Sequence, residues 1–177
     1  MSRASLALTA AVLLALPAAA AVVREPFVDP ALRVLASEEP ALMLSASGVQ
    51  IFECRPTLAD PNAFAWSYVA PDATLYDGGR SAARHATPNH WEALGDRTSV
   101  SGVPRATQPA GSNNLPWLLL RAIPAGEDGI FAGVTSIQRV NTSGGVAPAT
   151  GCSADAAGAE ARVAFTADFY FYKRRGA

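Results

Sequence analysis

"RVAFTADFYFYK", residues 162–173, alternates strictly between two kinds of side chain. Val163, Phe165, Ala167, Phe169 and Phe171 fall on one side of an extended chain, and Thr166, Asp168, Tyr170 and Tyr172 on the other. A period of two marks a strand with one buried face, and three phenylalanine rings on that face make a core wall. Working back from this strand, the chain to about residue 41 reads as short apolar runs punctuated by Gly, Pro, Asn and Asp. "LMLSASGVQIFECRP" (42–56) reads as two strands with a turn at Ser47-Gly48. "AFAWSYV" (63–69) alternates with Phe64, Trp66 and Tyr68 in phase, and "PDATLYDGGR" (71–80) adds a short strand and a Gly-Gly turn. "HWEAL", "GDRT" and "SVSGV" (90–103) read as strand, turn, strand. Trp117 to Leu120 is apolar without alternation, the pattern of a strand covered on both faces.

"GEDGIFAGVTSIQRV" (126–140) opens on an Asp-Gly turn and continues as a long strand with a bulge at Gly133. "PRATQPAGSNN" (104–114) and "NTSGGVAPATGCSADAAGAE" (141–160) read as long polar loops, a length uncommon in compact domains unless the loop is functional or disordered. A helical turn or two is expected only within "DPALRVLAS" (29–37). Many short strands with almost no helix predict an all-β, single-domain antiparallel β-sandwich or barrel with long loops and one disulfide.

Residues 1–21 have the composition of a cleavable signal peptide. Arg3 is followed by the apolar run Leu6–Leu16, then Pro17 and a small-residue stretch ending in an A-x-A site. Residues 22–40 are expected to form an N-terminal extension and 41–177 the β domain. No later apolar run is long enough to span a bilayer, so a secreted or periplasmic chain without a membrane span is expected. Its only cysteines, Cys54 and Cys152, predict one disulfide in an oxidising compartment. A bridge closing 98 residues contributes about 4–5 kcal/mol by chain entropy before strain is subtracted.

The formal net charge is -1, and loss of residues 1–21 removes one further positive charge, Arg3, and no acid. With only a short basic tail, "KRRGA", the chain lacks the clustered positive surface that nucleic-acid binding requires. Both histidines lie in "RHATPNHWE" (84–92), beside Glu92. A catalytic zinc takes three ligands, but positions 85 and 90 face opposite sides of a continuous strand, and no H-x-H or H-E-x-x-H spacing occurs. No metal and no cofactor are therefore expected, and no glycine-rich phosphate loop opens a helix. His85 alone could serve as a general base if Asp77, Asp96 or Glu92 oriented it. Arg139, next to Gln138 in an apolar strand, must either reach solvent or find an acid, for which Asp168 is a candidate. Trp66, Trp91 and Trp117 read as core residues before they read as a sugar-stacking platform.

Taken together, "GVQIFEC", "AWSYVAPDATLYD", "LPWLLLRA", "SIQRVNTSGGVAPATGC" and "ADFYFYK" resemble a family of secreted bacterial and fungal proteins, domain of unknown function 3455. The resemblance runs from about residue 40 to the C-terminus. Its most specific phrase holds Gln138-Arg139-Val140, Thr142, Gly144-Gly145, Pro148 and Cys152. It implies a single extracytoplasmic domain and assigns no catalytic residue. His85, Trp91 and Glu92 match its pattern, whereas Pro88-Asn89 replaces an expected Gly-Pro and His90 lies outside it. The candidate ligand-binding residues are thus His85, Trp91, Glu92, Gln138 and Arg139. The expected function is a module binding a small molecule, a carbohydrate or a surface; the alternative is a hydrolase using His85 with a nearby carboxylate.

Overall fold

The computed structural model describes residues 23–176, so the expected signal peptide, residues 1–21, lies outside the described residues. Eight strands follow one another: β1 (Glu38–Pro56), β2 (Phe64–Asp77), β3 (Arg80–Thr87), β4 (His90–Ala93), β5 (Ser99–Gln108), β6 (Trp117–Ala125), β7 (Val134–Gly144) and β8 (Glu160–Arg174). Each pairs antiparallel with the next, and β8 returns to pair with β1, so the sheet closes into an up-and-down barrel. Of the two architectures compatible with the strand pattern, the chain adopts the barrel. Closure leaves no strand edge exposed, and eight strands enclose a space that side chains fill or one small ligand occupies.

The alternation in β8 is as expected: Phe165, Ala167, Phe169 and Phe171 are buried inside the barrel with Leu44, Leu75, Trp91, Val100, Leu120 and Ile137. Outward positions such as Ser45, Ser47, Arg84, Glu92 and Thr166 are polar and exposed. No helix among the described residues is long and apolar enough to cross a membrane.

Three local expectations are corrected. Ser47-Gly48 is no turn: β1 runs unbroken through both residues. A Cβ at Gly48 would lie 2.2 Å from the Asp72 carbonyl oxygen and 2.4 Å from the Ala73 Cα, so glycine here lets β2 cross close over β1. "PRATQ" belongs to β5 and "NTSG" to β7, which shortens both expected loops. Gly133 sits in the loop before β7 and not inside the strand; β7 itself has two irregularities, one just after that loop between Val134 and Ser136 and one between Val140 and Ser143, where Asn141 takes φ 51°. The expected helical turn is a single 3-10 turn, Pro30–Leu32, capped by the Asp29 carboxylate accepting from the Ala31 N–H.

The segment before β1 lies across the outside of the barrel. Val28 and Leu32 pack on Val140, Trp117, Leu119 and Tyr170, so the outward face of β6 and β7 is covered, as the unalternating run 117–120 requires. Beneath this strap the Gln138 side chain donates to the Leu32 carbonyl at 2.6 Å and accepts from the Tyr172 hydroxyl. The Glu38 carboxylate accepts from the Ser136 hydroxyl at 3.0 Å.

Candidate functional site

The loops make the two barrel ends different. At one end the 126–133 loop folds inward and puts Phe131, fully buried, against Phe171 at 4.9 Å between ring centroids. Asp96 fastens this plug: one carboxylate oxygen accepts from the Thr98 N–H and hydroxyl, the other from the Ile130 N–H at 2.8 Å. Those bonds hold the Asp96 carboxyl below its ordinary range, the Thr98 hydroxyl being the largest cause.

At the opposite end the barrel stays open to a cavity of about 430 Å³. Its rim comes from the two loops flanking β6 and β7, which are stapled together. The Asn114 side-chain oxygen accepts from the Gly144 N–H at 2.9 Å, the Leu115 N–H donates to the Gly144 carbonyl, and the Thr142 hydroxyl donates to the Leu115 carbonyl. Gly145, at φ 84°, enters the mouth where a Cβ would meet Leu115 at 2.8 Å and Phe165 at 2.9 Å, so only glycine fits. The Cys54–Cys152 disulfide ties the rest of the 145–159 loop to the end of β1, as expected. The Trp66 indole N–H donates to the Thr150 carbonyl in the same loop.

His85 lines this cavity from β3. Its ring stacks on Trp91 at 4.7 Å and 10° and meets Phe169 edge-on at 5.8 Å. His85 Nδ1 lies 2.7 Å from the His90 carbonyl oxygen, across the turn formed by Pro88 and Asn89. Burial lowers the His85 pKa to about 4, so the ring is neutral at physiological pH. Arg139 enters from β7, opposite Phe169 on one side and Leu118 on the other, both of which face the interior. Its Nε and Nη2 donate to the Pro116 carbonyl at 3.2 and 2.8 Å. Desolvation lowers the guanidinium pKa to about 10, which still leaves it charged. No carboxylate lines the cavity. The expected partner, Asp168, is directly opposite Val140 on the outer face and accepts from the Asn141 side chain at 2.8 Å. A register one residue away from Arg139 puts the acid on the other side of the sheet.

Sequence reasoning missed Gln50, Phe52 and Tyr68, which complete the cavity wall. The signal for Gln50 was available: it falls in phase with Leu44 and Ala46, a polar residue at an inward position. Burial pushes the Tyr68 hydroxyl pKa up to about 12, so it stays neutral.

The structure thus brings His85 and Arg139 together, with Trp91 beneath the imidazole. Gln138 and Glu92 face outward, Gln138 beneath the strap and Glu92 exposed. His90 also turns outward, to the Ser101 hydroxyl at 3.0 Å. Asp77 and Asp96 lie at the plugged end. No carboxylate among the described residues hydrogen-bonds His85, so the geometry provides no orienting acid for a general base.

The family described as "Protein of unknown function (DUF3455)" matches residues 35–94 and 78–173. The chain belongs to this family. No curated protein and no solved structure matches it. The phrase that carried the resemblance, residues 138–152, is the frame of the mouth: it supplies Arg139, the bulge at Asn141, the Thr142 staple, the Gly144-Gly145 entry and the disulfide. Three hollows, about 370, 350 and 540 Å³, adjoin the strap and the start of β1, and all three are lined by Glu38, whose carboxylate already accepts from Ser136.

Proposed function

We propose that this protein is a secreted or periplasmic binding module that holds a small molecule in the mouth of its barrel. The ligand has an apolar body and an anionic group. The observation that carries this reading is Arg139, a half-buried guanidinium with no ion-pair partner among the described residues, facing a cavity without a single acid. A charge removed from water needs a counter-charge or a dense set of hydrogen bonds. Two donors of the guanidinium are held by Pro116, and its remaining N–H groups can bind a carboxylate. The cavity volume, about 430 Å³, falls within the usual ~300–1,000 Å³ of small-molecule sites. Phe52, Leu118 and the ring of Pro116 supply apolar walls. The extracytoplasmic location is supported by the composition of residues 1–21 and by the disulfide. A hydrolase based on His85 would need an acid that the cavity lacks.

Calorimetric titration of the purified protein with benzoate and octanoate, each beside its neutral amide, tests this. The acids should bind and the amides should bind at least about tenfold more weakly, the cost of a lost charge-assisted hydrogen bond. Arg139→Gln should abolish the preference. Equal binding of acid and amide, or a preference unchanged in Arg139→Gln, would overturn the proposal.

A further inference from the structure

We infer that the mouth selects ligands carrying both an anionic group and a separate O–H or N–H donor, the anion on Arg139 and the donor on His85 Nε2. This rests on the binding function proposed above and specifies its ligand class. A carbonyl oxygen can only accept, so the 2.7 Å contact between His85 Nδ1 and the His90 carbonyl places the proton on Nδ1. In the neutral ring Nε2 then carries a lone pair and nothing else. No donor among the described residues reaches it, and the stacked Trp91 indole N–H has no partner of its own. His85 is 4% exposed and lines the cavity, so its only approach is from the ligand side.

The other polar side chains of the wall cannot discriminate in this way. Gln50, 3% exposed, presents an amide that donates or accepts, and the Asn89 amide and Tyr68 hydroxyl do the same. Arg139 only donates and His85 Nε2 only accepts. A site built on one of each rejects a ligand whose second polar group is an acceptor, because two lone pairs then face each other without a proton between them. Stacking on Trp91 and the edge contact with Phe169 fix the plane of the imidazole, so the ring cannot turn away to relieve the mismatch.

The test compares benzoate with 3- and 4-hydroxybenzoate and with the matching methoxybenzoates, which keep the size and lose the donor. At least one hydroxy acid should bind about three- to tenfold more tightly than both benzoate and its methoxy counterpart, the range of one hydrogen bond. In His85→Phe, which keeps a flat ring over Trp91, that gain should vanish while benzoate still binds. A readout independent of any variant is available because the chain has two histidines. Nitrogen-15 NMR of the free protein at pH 7 should show His85 with Nδ1 protonated and Nε2 bare, and only the hydroxy acids should shift the Nε2 resonance upfield. Equal affinity of hydroxy and methoxy acids, a gain that survives in His85→Phe, or a proton on Nε2 would each overturn the inference. If those results came with benzoate bound through Arg139, the anion site would stand without its donor requirement. If benzoate did not bind at all, both would fall.

Discussion

The plugged end and the open end of this barrel are made from the same eight strands, yet their polar groups are handled in opposite ways. At the plugged end the buried polar groups are bonded to one another. Asp96 accepts three hydrogen bonds and holds the 126–133 loop, which delivers Phe131 onto Phe171. At the open end a guanidinium, an imidazole, a phenol and two amides line a cavity with no acid among them. One end is arranged for stability and the other leaves hydrogen-bonding capacity unspent. Protein interiors tolerate that second arrangement where a ligand completes it. The contrast can be broken from either side.

Truncating the plug gives the largest effect. Phe131→Ala removes a fully buried ring from an aromatic contact and should cost about 3–5 kcal/mol of stability. Because the mouth is built from other loops, acid affinity measured where the variant remains folded should change less than about twofold. A loss of binding comparable with that of Arg139→Gln would show that the two ends are coupled through the core and are not independent.

The second effect separates the ends by pH. His85 has a pKa of about 4 in the folded protein against 6.5 for an unperturbed ring, chiefly because it is buried. Above pH 6.5 both folded and unfolded rings are neutral and the native state keeps its full stability. As pH falls from 6.5 towards 4 the unfolded chain takes up a proton that the folded chain refuses, so stability is lost. The loss amounts to roughly 3 kcal/mol and levels off below pH 4. Urea unfolding at half-unit steps from pH 7 to pH 4 should show this slope in the native protein, above whatever slope His85→Phe retains from the carboxylates common to both. Identical slopes in the two proteins would mean that His85 titrates normally and is reached by water.

How much of this was legible beforehand depends on which physical rule each feature obeys. Alternation is local, so the inward set of β8 and the double coverage of residues 117–120 could be read directly. Closure is not local: it depends on β8 pairing with β1, a contact between the two ends of the domain. Gly48 was misread because glycine at a turn and glycine at a strand crossing look alike until the neighbouring strand is in place. Arg139 was recognisable as anomalous from its apolar surroundings, but its relation to Asp168 was not. Whether residues on different strands share a face is decided by register, and a single step separates Arg139 opposite Phe169 from Val140 opposite Asp168. Gln138 and Arg139 illustrate the reverse case. Adjacent residues on a strand point to opposite faces, so one stretch of β7 ties down the strap on the outside and charges the cavity on the inside.

The smallest predicted effect bears most directly on the contrast between the ends. If Arg139 is kept for a ligand and not for the fold, replacing it with an apolar side chain of similar length should not destabilise the protein. Arg139→Met leaves the inward position between Leu118 and Phe169 filled and removes a desolvated charge that has no ion-pair partner among the described residues. It also releases the Pro116 carbonyl, which lies at the exposed rim where water can replace the lost donors. The desolvation cost removed should outweigh those two hydrogen bonds, for a net gain of about 1 kcal/mol in ligand-free protein. Addition of benzoate should raise the melting temperature of the native protein and leave that of Arg139→Met where it was. Destabilisation of the ligand-free variant by more than about 1 kcal/mol would instead assign Arg139 to the rim, as the clamp that holds the Pro116 loop over the mouth.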